Sequence, residues 1–347
     1  MPDPPTKGRM LDAYPKSDWR GMCALVSHLS LLAACTAVAQ LTTSAALRCM
    51  GLMLQGIVMT FLFCPAHECT HHSAFRSRVL NDIVGFTIGV VLVLPPYWFR
   101  CFHVAHHKHT QDPIRDPEIR WSGFRPTDKR KYGPTRLNDR LWNLSGAGYW
   151  KERVTTTARY ATGSMPESDS LFVYNERMTG RLIREARLFT AIYAAVAAIA
   201  CGGGFPLLWR HWFLPALIGQ PFLRLYLQAE HTGCELVHEW PPATVRTSNP
   251  AATLREARRH SRTSAAHILP RLAVRFIFWN MPYHAEHHAF PEIPFHHLPT
   301  VSDALSGEAD GHEAHDTADA QATPGCVGEG ILSAYWRDFV ALHRATL

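Results

Sequence analysis

Long apolar runs alternate with polar blocks along the 347-residue chain, and the apolar runs are the length of membrane crossings. After a polar, Pro-rich and basic leader, residues 22–47 are apolar enough to span, although Ser, Thr and Gln interrupt them. Residues 49–66 form a second run of nearly bilayer length, separated from the first by Arg48 alone. So tight a link predicts a helical hairpin that goes out and returns. The run after the leader is too long for a secretory h-region and lacks an A-x-A exit, so no cleaved signal peptide is expected. Residues 83–94 are uniformly apolar but fall short of the roughly 20 residues a crossing needs. They end in Pro95-Pro96-Tyr97-Trp98-Phe99-Arg100, which predicts a re-entrant or interfacial segment over about 83–99. Residues 188–203 and 205–227 predict a second outward and returning pair, broken by Gly202-Gly203-Gly204 and Arg210-His211. Arg224 near the returning end is expected to snorkel to the interface.

The polar blocks set the orientation. Lys108 to Arg187 is dense in Arg and Lys and has no run long enough to cross, so the positive-inside rule puts it in the cytoplasm. The expected fold is all-α: four transmembrane helices plus the re-entrant or interfacial helix, with a cytoplasmic helical cap and both termini in the cytoplasm. Residues 1–21 form the N-terminal tail and 22–300 the membrane domain. Residues 301–330, with almost no large apolar side chain, read as a disordered linker in which His312 and His315 are solvated. Residues 331–347 regain helical spacing of Trp336, Phe339 and Val340, a C-terminal amphipathic helix docked on the cap.

Charge and cysteines narrow the class. The net charge of +6 comes from residues flanking the apolar runs, and no basic-aromatic module is present, which argues against nucleic-acid binding. Nine scattered Cys, an odd number with no CxxC pair, are thiols rather than a disulfide framework.

Three histidine clusters carry the chemistry. Asn280–His288 reads NMPYHAEHH and packs His284, His287 and His288 into five residues. HVAHH places His103, His106 and His107 at the same i, i+3, i+4 helical positions, and HECTHH places His67 and His71 at i, i+4 with His72 beside them. Such side chains share one helical face about 5–6 Å apart, close enough to ligate one ion or two adjacent ions. Neutral imidazole suits Zn, Fe, Cu and Ni, and eight or nine donors are too many for one ion, so two are implied. Lone residues such as His28, His211 and His343 read as ordinary packing or surface histidines. His67-Glu68-Cys69-Thr70-His71 also matches HExxH, with Glu68 as general base of a zinc protease, but that reading leaves the other two boxes unexplained. A metal transporter would place His or carboxylates within the crossings, whereas only His28 lies in a clear span.

These boxes, in this order, resemble those of the integral-membrane fatty acid desaturase family, which includes related hydroxylases and ketolases. The resemblance runs from about Pro65 to Pro299, and HHKHTQDPIRDPE and AFPEIPFHHLP after the second and third boxes support it. It implies a non-haem di-iron centre in a cytoplasmic cap, using O2 and two electrons. Carried onto matching positions, the ligands are His67, His71, His103, His106, His107, His284, His287 and His288, with His231 in AEHTG as a further ligand. Asn280 would hold a metal-bound water from the helical face of His284, and His72 would support the ligands. Glu68, Asp112, Asp116, Glu230 and Glu286 could each accept the remaining ring N–H of a ligand, fixing its tautomer. For Asp112 and Asp116, a turn or helix cap is the competing role.

The implied activity is O2-dependent desaturation of an acyl lipid in the cell inner membrane. Hydroxylation on the same scaffold, or desaturation of a small amino-acid-derived metabolite, are the alternatives. No CxxCH, ferredoxin-like Cys spacing or GxGxxG is present, so haem, Fe–S and flavin are not expected in the chain. A ferredoxin- or cytochrome-type donor with its reductase is expected to dock on the basic face.

Overall fold

The structure, a computed structural model, describes residues 7–121, 137–231, 234, 236–237, 249–261 and 271–311. Among these residues every regular element is a helix. Three helical stretches are long and apolar enough to cross a membrane: Asp18–Leu41, Ala45–His71 and Glu176–Gln228. The pair Arg78–Leu92 and Pro96–His109 adds one more candidate, bent by 98° at its break.

Local chemistry sets the helix boundaries and moves several from where hydropathy put them. The first hairpin turns at Thr42-Thr43-Ser44 rather than at Arg48. The Ser44 hydroxyl accepts from Leu47 N at 3.4 Å and starts the second helix, while Arg48 lies inside it and donates to the Thr42 carbonyl at 3.0 Å. A side-chain cap stops and restarts a helix, which a single charged residue does not do. The second apolar helix runs on past residue 66, and after a tight turn at Phe61-Leu62 the segment Phe63–His71 carries the first box. The segment expected at 83–99 is two helices: Val93 (φ 55°) ends Arg78–Leu92, and Pro95-Pro96 restarts the chain at a new angle. Asn175 caps a helix that begins at Glu176, well before residue 188, its Oδ1 accepting from Met178 N at 2.9 Å. This helix ends at Ile199, and Gly203 (φ 99°) opens the turn beyond it. The chain then doubles back, since the Tyr193 and Trp212 rings lie 6.4 Å apart.

Packing brings the box-bearing ends together. Ala45–Thr60 lies against both Asp18–Leu41 and Leu214–His231. The second contact is so close that a Cβ on Gly219 would collide with the Gly56 carbonyl. Small residues permit such backbone approach where lipid offers no hydrophobic drive between helices. One buried cluster joins the crossings to the boxes through Phe61, Phe99, Phe102 and Trp279. A smaller one ties the N-terminal segment to the third box through Met10, Leu254, Phe290, Ile293 and Leu298. The tail therefore packs, with Tyr14 on the His297 ring at 5.3 Å. Leu298–Gly311 is helical, so a helix occupies the start of the expected linker. The rest of that linker and the amphipathic helix at 331–347 lie outside the described residues.

Candidate metal centre

Four helix ends deliver the imidazoles. His67 and His71 come from Phe63–His71, His103, His106 and His107 from Pro96–His109, His284, His287 and His288 from His284–Ala289, and His231 is the last residue of Leu214–His231. Their ring nitrogens form two groups, each within 4.8 Å: His67, His71, His103, His107 and His287 in one, and His106, His231 and His288 in the other. His284 joins the second, its Nε2 3.0 Å from His231 Nε2 and 3.1 Å from His288 Nε2. The groups touch where the His107 and His288 rings stack at 4.1 Å.

The arrangement fits two metal ions. His103 and His107 Nε2 approach to 2.9 Å, His107 and His287 Nε2 to 3.2 Å, and His106 and His231 Nε2 to 3.2 Å. Two imidazoles bound at about 2.1 Å to one metal, with about 90–109° between the bonds, put their nitrogens about 3.0–3.4 Å apart. Both ring nitrogens of His67, Nε2 of His71 and Nδ1 of His107, His284 and His287 are buried without a hydrogen-bond partner among the described residues. Leaving such atoms dry and unbonded costs about 1–3 kcal/mol each, a debt that a coordinated cation removes for those aimed at it. Burial pushes the pKa of His287 down to about 3 and of His231 to about 4, and those of His284 and His288 fall in the same direction for the same reason. Neutral imidazole, the form that binds metal, therefore prevails at pH 7 for these four, whereas Asp116 and Glu118 outweigh burial at His106 and raise it to about 9, so metal binding there displaces a proton.

The carboxylates separate by role. Asp116 Oδ1 accepts from His106 Nδ1 at 2.9 Å, which leaves the Nε2 lone pair facing the second group. The same carboxylate accepts from Gln111 N and Glu118 N, each at 2.9 Å, so Asp116 both orients a ligand and closes a turn. Asp112 Oδ1 accepts from Ile114 N at 2.8 Å and Arg115 N at 2.9 Å, the turn role. Glu68 lies 3.5 Å from His67 Nδ1 and 3.8 Å from His287 Nδ1, and Glu230 lies 3.5 Å from His284 Nδ1. These are electrostatic contacts rather than hydrogen bonds; the short bond of Glu68 is from Ser73 Oγ at 2.7 Å.

Three expectations are corrected. Glu286 faces Arg258 at 3.1 Å and Ser302 Oγ at 2.9 Å instead of an imidazole, because its helix turns it toward Pro250–His260 and Leu298–Gly311. Asn280 lies in a left-handed turn (φ 56°) before the helix begins and donates to the Phe295 carbonyl at 3.0 Å, so it does not share a helical face with His284. His72 is the left-handed residue (φ 55°) ending the first-box helix, and its ring meets Arg100 at 2.7 Å and Asp82 at 3.2 Å.

Two features escaped the sequence reading. Glu118, in the DPE that follows the second box, brings Oε2 to 3.4 Å from His106 Nε2. Arg224 sets its guanidinium 4.6 Å over the Tyr149 ring. Both line a cavity of about 130 Å³ that reaches His67, His103 and His284 and is walled by Trp98, Phe99 and Met281. No spacing rule links Arg224 to Tyr149, so only the fold reveals the pair. His28 is buried and bonds the Val58 carbonyl at 2.8 Å, a packing role.

The Fatty acid desaturase family model matches residues 44–319, which include every imidazole of both groups. Over 102 residues the chain is 32% identical to the sn-1 oleoyl-lipid 12-desaturase of Anabaena variabilis, covering 27% of this chain and 29% of that protein. Over 277 residues it is 25% identical to a Delta(9) fatty acid conjugase-like enzyme of Dimorphotheca sinuata, covering 72% and 66%. Over 279 residues it is 23% identical to the endoplasmic reticulum omega-6 fatty acid desaturase of Brassica juncea, covering 72% and 64%. The chain thus spans less than two thirds of the length of these three relatives. With a family match over most of its length and the histidine boxes gathered at one end of its apolar helices, the chain belongs to the fatty acid desaturase family.

Proposed function

We propose that this membrane protein is an O2-dependent desaturase of acyl or acyl-like lipids, working through two irons held by His67, His71, His103, His106, His107, His231, His284, His287 and His288. The observation that carries the reading is the pair of touching imidazole groups at the end of a cavity walled in part by Trp98, Phe99, Phe102 and Met281. When bound, iron supplies the oxidising power to remove hydrogen from an unactivated C–H bond, beyond the reach of any side-chain base. The net change is R–CH2–CH2–R′ + O2 + 2 e⁻ + 2 H⁺ → R–CH=CH–R′ + 2 H2O. Asp116 holds the His106 tautomer, Glu68 and Glu230 place negative charge beside His67, His287 and His284, and Trp98, Phe99 and Met281 exclude water from the reacting carbon.

Electrons come from a separate one-electron carrier of ferredoxin or cytochrome type that docks on the basic cytoplasmic face, a contact that added salt weakens. Four crossings in the cell inner membrane, with the boxes and both termini in the cytoplasm, complete the reading. The test is metal analysis of purified protein, then turnover with reductant, O2 and acyl lipids, with products read by mass. About two irons per chain and products lighter by two hydrogens support it. Products heavier by one oxygen make the protein a hydroxylase on the same scaffold. Zinc with no O2 uptake refutes both.

A further inference from the structure

A groove of about 490 Å³ opens away from the metal centre, where Phe63–His71, Arg78–Leu92, Pro96–His109 and Glu176–Ile199 meet. Arg78, Arg100 and Arg181 line it, and so do two carboxylates, Asp82 and Glu185. Three guanidiniums against two carboxylates leave an excess of positive charge. Glu185 accepts from the backbone N–H groups of Tyr97 at 2.8 Å and Trp98 at 3.0 Å, and Asp82 lies 3.2 Å from the His72 ring. Arg181 attracts Glu185 at longer range, yet none of the three arginines forms an ion pair among the described residues. Arg100 instead donates to His72 Nε2 at 2.7 Å, and Arg181 lies 4.0 Å over the Tyr97 ring. The lining changes character along the helices. On Arg78–Leu92 it passes from Arg78, Asn81 and Asp82 to Gly85 and Phe86, and the Phe86 ring meets Phe189, four residues past Glu185, at 5.5 Å. Val79 and Ile83, on the same helix, are 64% and 58% exposed, apolar side chains set for hydrocarbon rather than water.

We propose that this groove binds an anionic phospholipid, its phosphate among the arginines and the start of an acyl chain against Phe86. Guanidinium forks match phosphate oxygens, and basic pockets between membrane helices on the cytoplasmic side hold acidic lipid headgroups. A folded acidic protein meets Arg78 and Arg181, which are exposed, but does not enter between the helices to reach Phe86. An amphiphile satisfies both ends of the lining at once. Ala66, Cys69 and Thr70 form part of the wall, on a different face of the first-box helix from His67 and His71. The bound lipid therefore braces that helix without touching the metal centre. The site goes beyond the oxidative reading and needs only that these helices lie in a bilayer.

The test is equilibrium binding of dioctanoylphosphatidylglycerol, dioctanoylphosphatidylcholine and inorganic phosphate to the full-length protein in nonionic detergent, followed by calorimetry and by native mass spectrometry of retained lipid. The acidic lipid should bind at least about fivefold more tightly than the zwitterionic one. Arg78→Gln combined with Arg181→Gln should bring that ratio close to one. Both side chains are exposed and neither forms an ion pair among the described residues, so the fold does not depend on them. Arg184→Gln, at an exposed position of the same helix outside the groove, should leave the ratio unchanged. Equal binding of the two lipids by the wild-type protein overturns the proposal, and that comparison needs no variant to fold. A preference that survives the double substitution, or that falls as far in Arg184→Gln, also overturns it, because the charge is then read by the surface at large. Inorganic phosphate that binds as tightly as the acidic lipid makes this a site for the free anion and refutes the lipid assignment.

Discussion

Asp116→Asn isolates the part of the site that sequence alone left undecided between ligand support and turn formation. The wild-type carboxylate accepts three N–H groups, from His106 Nδ1, Gln111 N and Glu118 N, each at 2.9 Å. His106 and Asp116 side chains are each 2% exposed, so water cannot replace a lost partner. Asparagine has the same shape but must turn its NH2 toward one of these donors. With NH2 in the Oδ2 place it opposes Gln111 N–H; flipped, it opposes His106 Nδ1–H and Glu118 N–H. A buried donor facing a donor costs about 1–3 kcal/mol. The flipped form also drives the proton to His106 Nε2, the nitrogen that faces His231 at 3.2 Å. Loss of such a supporting carboxylate typically weakens metal binding about 10–100-fold. Asp112→Asn is the control, because its two bonds are accepted by Oδ1 alone, which an amide can supply. Iron affinity, measured by competition with a chelator, should fall 10–100-fold in Asp116→Asn and stay near wild type in Asp112→Asn. Equal affinity in both variants and the wild type would show that Asp116 only shapes its turn.

Other outcomes follow from the same geometry. His107→Ala removes a ring whose Nε2 lies 2.9 Å from His103 Nε2 and 3.2 Å from His287 Nε2, so elemental analysis should find about one iron in place of two and no turnover; full occupancy would remove His107 from the ligand set. His287 and His231 have folded pKa values of about 3 and 4 against 6.5 unfolded, so the unfolded chain binds more protons below pH 6.5. Their contribution to the stability of the metal-free protein should therefore be complete above about pH 7 and fall as pH drops toward 4, by up to about 1.4 kcal/mol per pH unit for each histidine, whereas His106, raised against its burial to about 9 by Asp116 and Glu118, contributes stability that is lost as pH rises from 6.5 toward 9, so stability peaks near neutral pH. A flat profile of melting temperature against pH would contradict this. Glu286→Gln weakens the buried contact to Arg258 at 3.1 Å, and should cost about 2–3 kcal/mol in denaturant unfolding while leaving iron content unchanged; iron loss without destabilisation would give Glu286 back the ligand-supporting role.

Much of the candidate site was legible because its chemistry is written in local spacing. His103, His106 and His107 lie on one face of Pro96–His109 whatever packs around them, and His67 and His71 do the same on their own helix. Boundaries were less legible, because hydropathy averages over a window while a single hydroxyl cap decides where a helix stops. Ser44 and Asn175 moved two boundaries that apolar runs had placed elsewhere. The interleaved carboxylates were legible only as candidates. Asp112 and Asp116 are both followed by proline in the sequence, and of the two it is Asp116 that accepts from His106 of the metal centre.

The sequence by itself determined the apolar helices, the donor type and the number of imidazoles, since each depends on composition and on the fixed periodicity of a helix. Tertiary structure alone decided how those donors divide into two groups, that His231 stands 3.0 Å from His284, and that Arg153 and Arg224 share a cavity with His67, His103 and His284. Those relations join residues far apart in the chain, 53 positions between His231 and His284 and 180 between His107 and His287. No local pattern encodes such separations. The close approach of Gly56 and Gly219 and the bend at Pro95-Pro96 bring the helix ends to one place.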